Sequence, residues 1–207
     1  MQQTSQQLLT DREDYLSAGV HIGTQRNTAD MDDYIFQVKK NGLAIINLED
    51  TDRRIREVAN TLQEFAPGEI LVCGEREQLR GPVETLSEKL GTNAVDGRFM
   101  PGSLTNPNSD QFIEPRAIVV VDPDENRQPI TEANKVGIPV IGIVDSGAEL
   151  GGIDEPIPAN NKARKAVGTV LYLLGRAYAD ARGTEFDAGL NDFRPNPDRT
   201  EQDGEDE

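Results

Sequence analysis

Ile118-Val119-Val120-Val121-Asp122 and Val140-Ile141-Gly142-Ile143-Val144-Asp145 decide the fold. Each is a short, unbroken apolar run closed by an aspartate, and between them Pro129 to Val136 has helical spacing and is stopped by Gly137. A strand covered on one face alternates apolar with polar residues, whereas a strand covered on both reads as a continuous apolar run. Strand, helix, strand with unbroken strands therefore predicts a parallel sheet enclosed by helices.

Working outward, the same unit recurs. Leu43-Ala44-Ile45-Ile46-Asn47-Leu48 follows Asn41-Gly42 and predicts a first buried strand. Thr51 then caps a helix with Ile55, Val58, Ala59, Leu62 and Phe65 on one face, stopped by Pro67-Gly68. Ile70-Leu71-Val72-Cys73 is the next strand, followed by a helix that opens at Pro82, buries Val83, Leu86 and Leu90, and ends at Gly91. Ala94-Val95 is a weak third strand. The expected architecture is α/β: a three-layer α/β/α sandwich with a mainly parallel five-stranded sheet, doubly wound and flavodoxin-like. Upstream, Thr10 and Glu13 have the spacing of a capping box for a short helix to Ala18, ended by Gly19, and residues 20–28, aperiodic and mostly polar, read as a loop. Downstream, residues 159–182 read as the longest helix, with Lys162, Arg164 and Lys165 in its first turns, where cations strengthen an already anion-attracting end. The boundaries follow: a flexible N-terminus over 1–9, one domain over 10–182, and an acidic, largely disordered tail over 183–207.

Composition narrows the chemistry. The chain has 207 residues, one cysteine (Cys73) and one histidine (His21), which excludes an internal disulfide and a Cys/His zinc cluster. No run approaches the ~20 apolar residues of a membrane span, and Met1 to Ser5 lacks the pattern of a secretory signal, so the expected setting is cytoplasmic, with no membrane partner. Neither a G-x-G-x-x-G after the first strand nor a G-x-x-x-x-G-K-[ST] occurs, and no serine stands in a G-x-S-x-G setting. Asp122, Asp124 and Asp145 stand at strand ends, where doubly wound sheets bind ligands, and permit an alternative reading as a magnesium-dependent enzyme or receiver-like switch.

The net charge of −16 argues against a polyanionic partner until its distribution is read. Residues 183–207 carry nine acids and two bases, while 159–182 carries five bases against Asp180 alone, so a basic patch stands on an acidic background. Three clusters result: His21, Thr24, Gln25 and Arg26 with Gly19 and Gly23 beside them; Lys39 and Lys40 before the first strand; and Asn160, Asn161, Lys162, Arg164 and Lys165. Such donors suit phosphate contact. Only six of the 21 basic residues are lysines, a pattern expected of a protein hydrated in concentrated salt, where a Debye length of ~3 Å screens the repulsion among its carboxylates.

Five segments carry a resemblance. They are Leu16 to Arg26; Gly97-Arg98-Phe99-Met100-Pro101-Gly102-Ser103-Leu104-Thr105-Asn106-Pro107; Glu114-Pro115 through the strand to Asp122-Pro123; Ile130-Thr131-Glu132-Ala133 to Gly137-Ile138-Pro139-Val140; and Ile157 to Lys162. Spread in order over residues 10–182, they resemble the universal second protein of the small ribosomal subunit, in its archaeal and eukaryotic branch, which includes the laminin-receptor-like protein. The resemblance implies an α/β/α sandwich without catalytic activity, cofactor or small-molecule substrate. It implies a place between the head and body of the subunit, in contact with small-subunit ribosomal RNA and neighbouring proteins, and a role in subunit assembly and translation. Only Glu49-Asp50 separates first strand from helix, which leaves no room for the helical hairpin inserted in bacterial members. By segment match, RNA contact is carried onto His21, Thr24, Gln25, Arg26, Arg98, Asn160, Asn161 and Lys162. Lys39, Lys40, Arg164 and Lys165 are added on charge and adjacency. The acidic excess departs from the basic norm of ribosomal proteins.

Overall fold

A computed structural model describes residues 8–194. In chain order the elements are α1 (Arg12–Ala18), β1 (Ile35–Val38), β2 (Ala44–Ile46), α2 (Leu48–Leu62), β3 (Ile70–Cys73), α3 (Glu77–Leu90), β4 (Asn93–Val95), β5 (Ala117–Val121), α4 (Arg127–Val136), β6 (Val140–Val144), β7 (Glu155–Pro158) and α5 (Arg164–Arg182). A five-stranded sheet has the order β4-β3-β5-β6-β7, all parallel. Renumbered along the chain this is 2-1-3-4-5, the doubly wound order of flavodoxin-like domains, with its switch point between β3 and β5.

β3, β5 and β6 are buried throughout, as their unbroken apolar runs require. Alternate residues serve opposite cores. Val72, Val119, Val121, Ile141, Ile143 and Ile157 face α2, α3 and α5, while Leu71, Cys73, Ile118, Val120, Val140 and Val144 face α4, Met31, Phe99 and Leu104. The three layers are therefore unequal: helices cover one face, and α4 with the 96–116 loop covers the other.

Glu132 of α4 holds that loop. Its carboxylate accepts Gly102 N–H (2.7 Å), Leu104 N–H (3.0 Å), Thr105 Oγ1 (3.1 Å) and Gln128 Nε2 (2.7 Å). Burial pushes this acid up, but the four hydrogen bonds outweigh it and hold its pKa below the ordinary value. Two of the segments that carry the resemblance thus explain one another.

Several expected elements fall differently. The sheet has five strands, but Leu43–Leu48 supplies none of them: β2 pairs antiparallel with β1 in a separate hairpin, and Ile22 bridges to Ile45 on its other side. The fifth strand is β7, whose Pro156 and Pro158 hid it. Both stand on an edge strand, where a missing N–H costs nothing, and their carbonyls accept Arg54 Nε (2.9 Å) and Thr51 Oγ1 (2.6 Å) from α2. Thr51 is accordingly a buried strut, and Asn47 caps α2 by accepting Glu49 N–H. One residue separates β2 from α2, so the bacterial insertion is absent. The capping box at Thr10 does not form, because its hydroxyl donates to Asp14 and Asp11 is the cap. α3 opens at Glu77, leaving Pro82 inside it, and α5 opens only at Arg164, so residues 159–163 form a loop.

The expected domain limits also move. Leu8 and Leu9 pack on the core, and Leu9 N–H donates to Asp52 at 2.6 Å. Beyond Gly183 the chain lies along α5: Phe193 is buried, with its ring 5.8 Å from Tyr172 and 6.3 Å from Phe186. The remainder of the expected termini, 1–7 and 195–207, lies outside the described residues.

Candidate functional site

Because all five strands run parallel, their C-terminal ends share one rim, and the loops that follow them carry Arg98, Asn160, Asn161 and Lys162. After β7, Asn160 N–H donates to Val20 O (2.8 Å) and its side-chain amide to Gly19 O (3.1 Å), while its oxygen accepts Lys162 N–H and Ala163 N–H. One asparagine therefore joins the 19–28 loop to the approach of α5. After β6, Ser146 Oγ accepts Thr24 N–H at 2.8 Å, and Arg26 reaches Glu149 at 3.0 Å. Gly23 is needed at this crossing, since a Cβ there would stand 2.6 Å from Ser146 Oγ. Gln25 Nε2 donates to Asn41 O, fastening the β1–β2 turn with Lys39 and Lys40 to the same loop.

The structure thus gathers His21, Thr24, Gln25, Arg26, Lys39, Lys40, Asn160 and Lys162 from both ends of the chain. Their availability differs. Asn161 is only 2% exposed and donates to Ile143 O at 3.0 Å, so it shapes the rim rather than contacting anything beyond it. Thr24 is engaged with Ser146 and Arg26 O. The Arg26–Glu149 pair is exposed, and such pairs contribute ~0–1 kcal/mol, leaving the guanidinium free to exchange partners. Lys39, Lys40, Arg98 and Lys165 point into solvent. Arg98 stands apart from the other anticipated residues, beyond β4, in a cleft shared with Glu75 and Glu125. Arg164 lies against Gly81 of α3 and is half-buried. His21 is part-buried and its pKa is lowered by burial and by the Lys39 charge, so it is neutral near pH 7.

At the switch point, where a doubly wound domain binds its ligand, the chain supplies its own counterions. Arg76 Nε meets Asp122 at 2.6 Å and Lys162 Nζ meets Asp145 at 2.8 Å. Asp122 is fully buried at φ +55°, the only non-glycine with positive φ among the described residues. Burial pushes its carboxyl up to about 6, further than Arg76 and Lys162 pull it down. The magnesium or receiver-like reading would have to dislodge both cations. Cys73 is buried on β3, and burial pushes its thiol up to about 12, so a reactive pairing with His21 does not arise. Sequence reasoning missed Arg76 and Ser146. Arg76 stands three residues after the end of β3 and Ser146 two after the end of β6, and that position was the available signal.

A flavodoxin-like domain whose switch point is closed by internal ion pairs, and whose rim presents exposed cations, is a scaffold rather than an open ligand pocket. The comparisons specify which. The family model described as ribosomal protein S2 matches residues 15–112 and 108–181. Small ribosomal subunit protein uS2 of Haloquadratum walsbyi is 43% identical over 186 residues, covering 90% of this chain and 67% of that one. The chain belongs to the ribosomal protein S2 family, whose members are structural, non-enzymatic proteins of the small ribosomal subunit.

Proposed function

We propose that the rim formed by the 19–28 loop, the β1–β2 turn and the 159–165 segment is the surface by which this chain contacts small-subunit ribosomal RNA, between head and body of the cytoplasmic ribosome. The observation that carries the reading is the convergence of Arg26, Lys39 and Lys40 on one rim of a chain with net charge −16; Lys162, paired with Asp145, joins them only by exchanging that partner. Lys165 extends this surface at its margin, and Arg98, beyond β4 at the opposite edge of the sheet, is a separate contact. Asn160 and Asn161 hold it in shape, and neighbouring subunit proteins meet the acidic remainder. Anchoring between head and body makes the chain a requirement for assembly and translation. In concentrated salt, counterion release contributes little, so hydrogen bonds and shape carry more of the affinity.

The test is competitive incorporation. Arg26, Lys39 and Lys40 are all exposed, so replacing the three with alanine leaves the fold intact. Mixed with the unaltered chain during subunit reconstitution, the variant is expected to be under-represented in the small-subunit peak. Its RNA affinity should depend less steeply on salt, by about 2 in the log–log slope for three lost contacts at ~0.7–0.9 each. Equal incorporation would remove the rim from the RNA interface.

A further inference from the structure

Phe36 is 69% exposed, the largest exposure among the large apolar side chains of the described residues, in a chain with only 5% aromatic residues. It stands on β1 where the pairing with β2 slips, between the paired residues Ile35 and Gln37, and Val38 two positions on is 51% exposed. Folding does not require a ring there. Beside it lies a cleft of about 190 Å³ lined by Leu16, His21, Phe36, Gln37 and the start of α2. That is smaller than the ~300 Å³ at which small-molecule pockets begin. It has room for one flat group laid against the ring.

Lys39 and Lys40 follow immediately on the same strand end, with no ion pair among the described residues, and Gln25 ties this turn to the rim. An exposed ring flanked by free cations is the arrangement that binds single-stranded nucleic acid: the cations hold the backbone and an unstacked base covers the ring. We propose that Phe36 is a stacking platform for an unpaired base of the small-subunit RNA, with Lys39 and Lys40 holding the flanking phosphates. The inference rests on the RNA-facing rim proposed above and adds a ligand class to its edge. A neighbouring protein's aromatic or aliphatic side chain is the competing occupant, and the two differ in what they demand of Phe36. A base needs a π-face, whereas an apolar side chain accepts any apolar surface.

The full chain is titrated with protein-free small-subunit RNA across a range of salt, using F36A, F36L, F36W and the K39A/K40A double variant, with thermal melts as controls. Base stacking is worth ~1–3 kcal/mol per base, so F36A and F36L should both bind about 5- to 150-fold more weakly with an unchanged salt slope. F36W should bind as well as the unaltered chain. K39A/K40A should instead lower the salt slope by about 1.5. Wild-type affinity for F36A and F36L beside a weakened K39A/K40A variant would overturn the stacking role and leave the rim standing. A K39A/K40A variant with unchanged affinity and slope would overturn the rim itself. Loss in F36A with full retention in F36L would replace base stacking by a merely apolar contact with the RNA, and photocrosslinking of residue 36 to a protein within assembled subunits would assign the cleft to a protein neighbour.

Discussion

Two carboxylates with opposite pKa shifts show how much a single residue's surroundings decide. Glu132 is buried yet held below its ordinary pKa by four donors, so its contribution is complete above the unfolded value near 4.5 and is lost as pH falls through the folded one. Asp122 is buried with desolvation dominant, at about 6 against an ordinary 3.8, so the folded state holds the extra proton and stability falls as pH rises across that interval. In thermal melts between pH 3 and 7, E132Q is expected to flatten the acid limb. D122N, in which asparagine tolerates the positive φ, should remove the decline between about pH 4 and 6. At neutral pH, E132A should cost about 3 kcal/mol or more in chemical denaturation, because it leaves two buried backbone amides of the 100–106 loop without acceptors. A loss below 1 kcal/mol would mean that the loop is held by packing alone.

Elements in this fold are secured by side chains reaching across from a neighbour. β7 has two prolines and an open edge, and α2 closes that edge through Thr51 and Arg54. Replacing Thr51 by valine keeps the shape and removes the donor to Pro158 O, and should destabilise by about 1–3 kcal/mol. A neutral result would show that water reaches that carbonyl. On the opposite flank of α5, Phe193 closes an aromatic cluster with Tyr172 and Phe186, and Gly168 leaves space for its backbone. F193A is expected to cost about 3–5 kcal/mol in urea unfolding and to expose residues 184–194 to protease. Unchanged stability would return this segment to the status of a tail. The expectation of a largely disordered tail misses residues 184–194, because acid content was averaged over a stretch in which Phe186 and Phe193 are the only aromatic residues, and these two rings pack against α5.

For the whole molecule, charge is the governing quantity. A chain of −16 repels itself at low ionic strength. Melting temperature should climb as salt is raised from tens of millimolar towards molar, where the Debye length shrinks from beyond 10 Å to ~3 Å. A melting temperature independent of salt would count against an acidic surface adapted to concentrated salt. The rim itself combines residues from positions 19–28, 39–41 and 159–165, and no pairwise spacing in the sequence joins them.

What the sequence determined by itself was the layer architecture, since unbroken apolar runs such as 118–121 and 140–144 are stable only when covered on both faces, and local period and composition record that requirement. It also carried the candidate clusters as residue types in order along the chain. Tertiary structure alone decided which runs share a sheet: Ala44–Ile46 has the apolar content of a central strand but pairs in a hairpin, while Glu155–Pro158 has two prolines but fits the edge. It alone decided which polar residues face outward, turning Asn161 into a buried strut and leaving Phe36 exposed. The physical reason is the same in both cases: hydrogen-bond partners and burial are properties of pairs of segments distant in the chain, and a residue's identity constrains them without choosing among them.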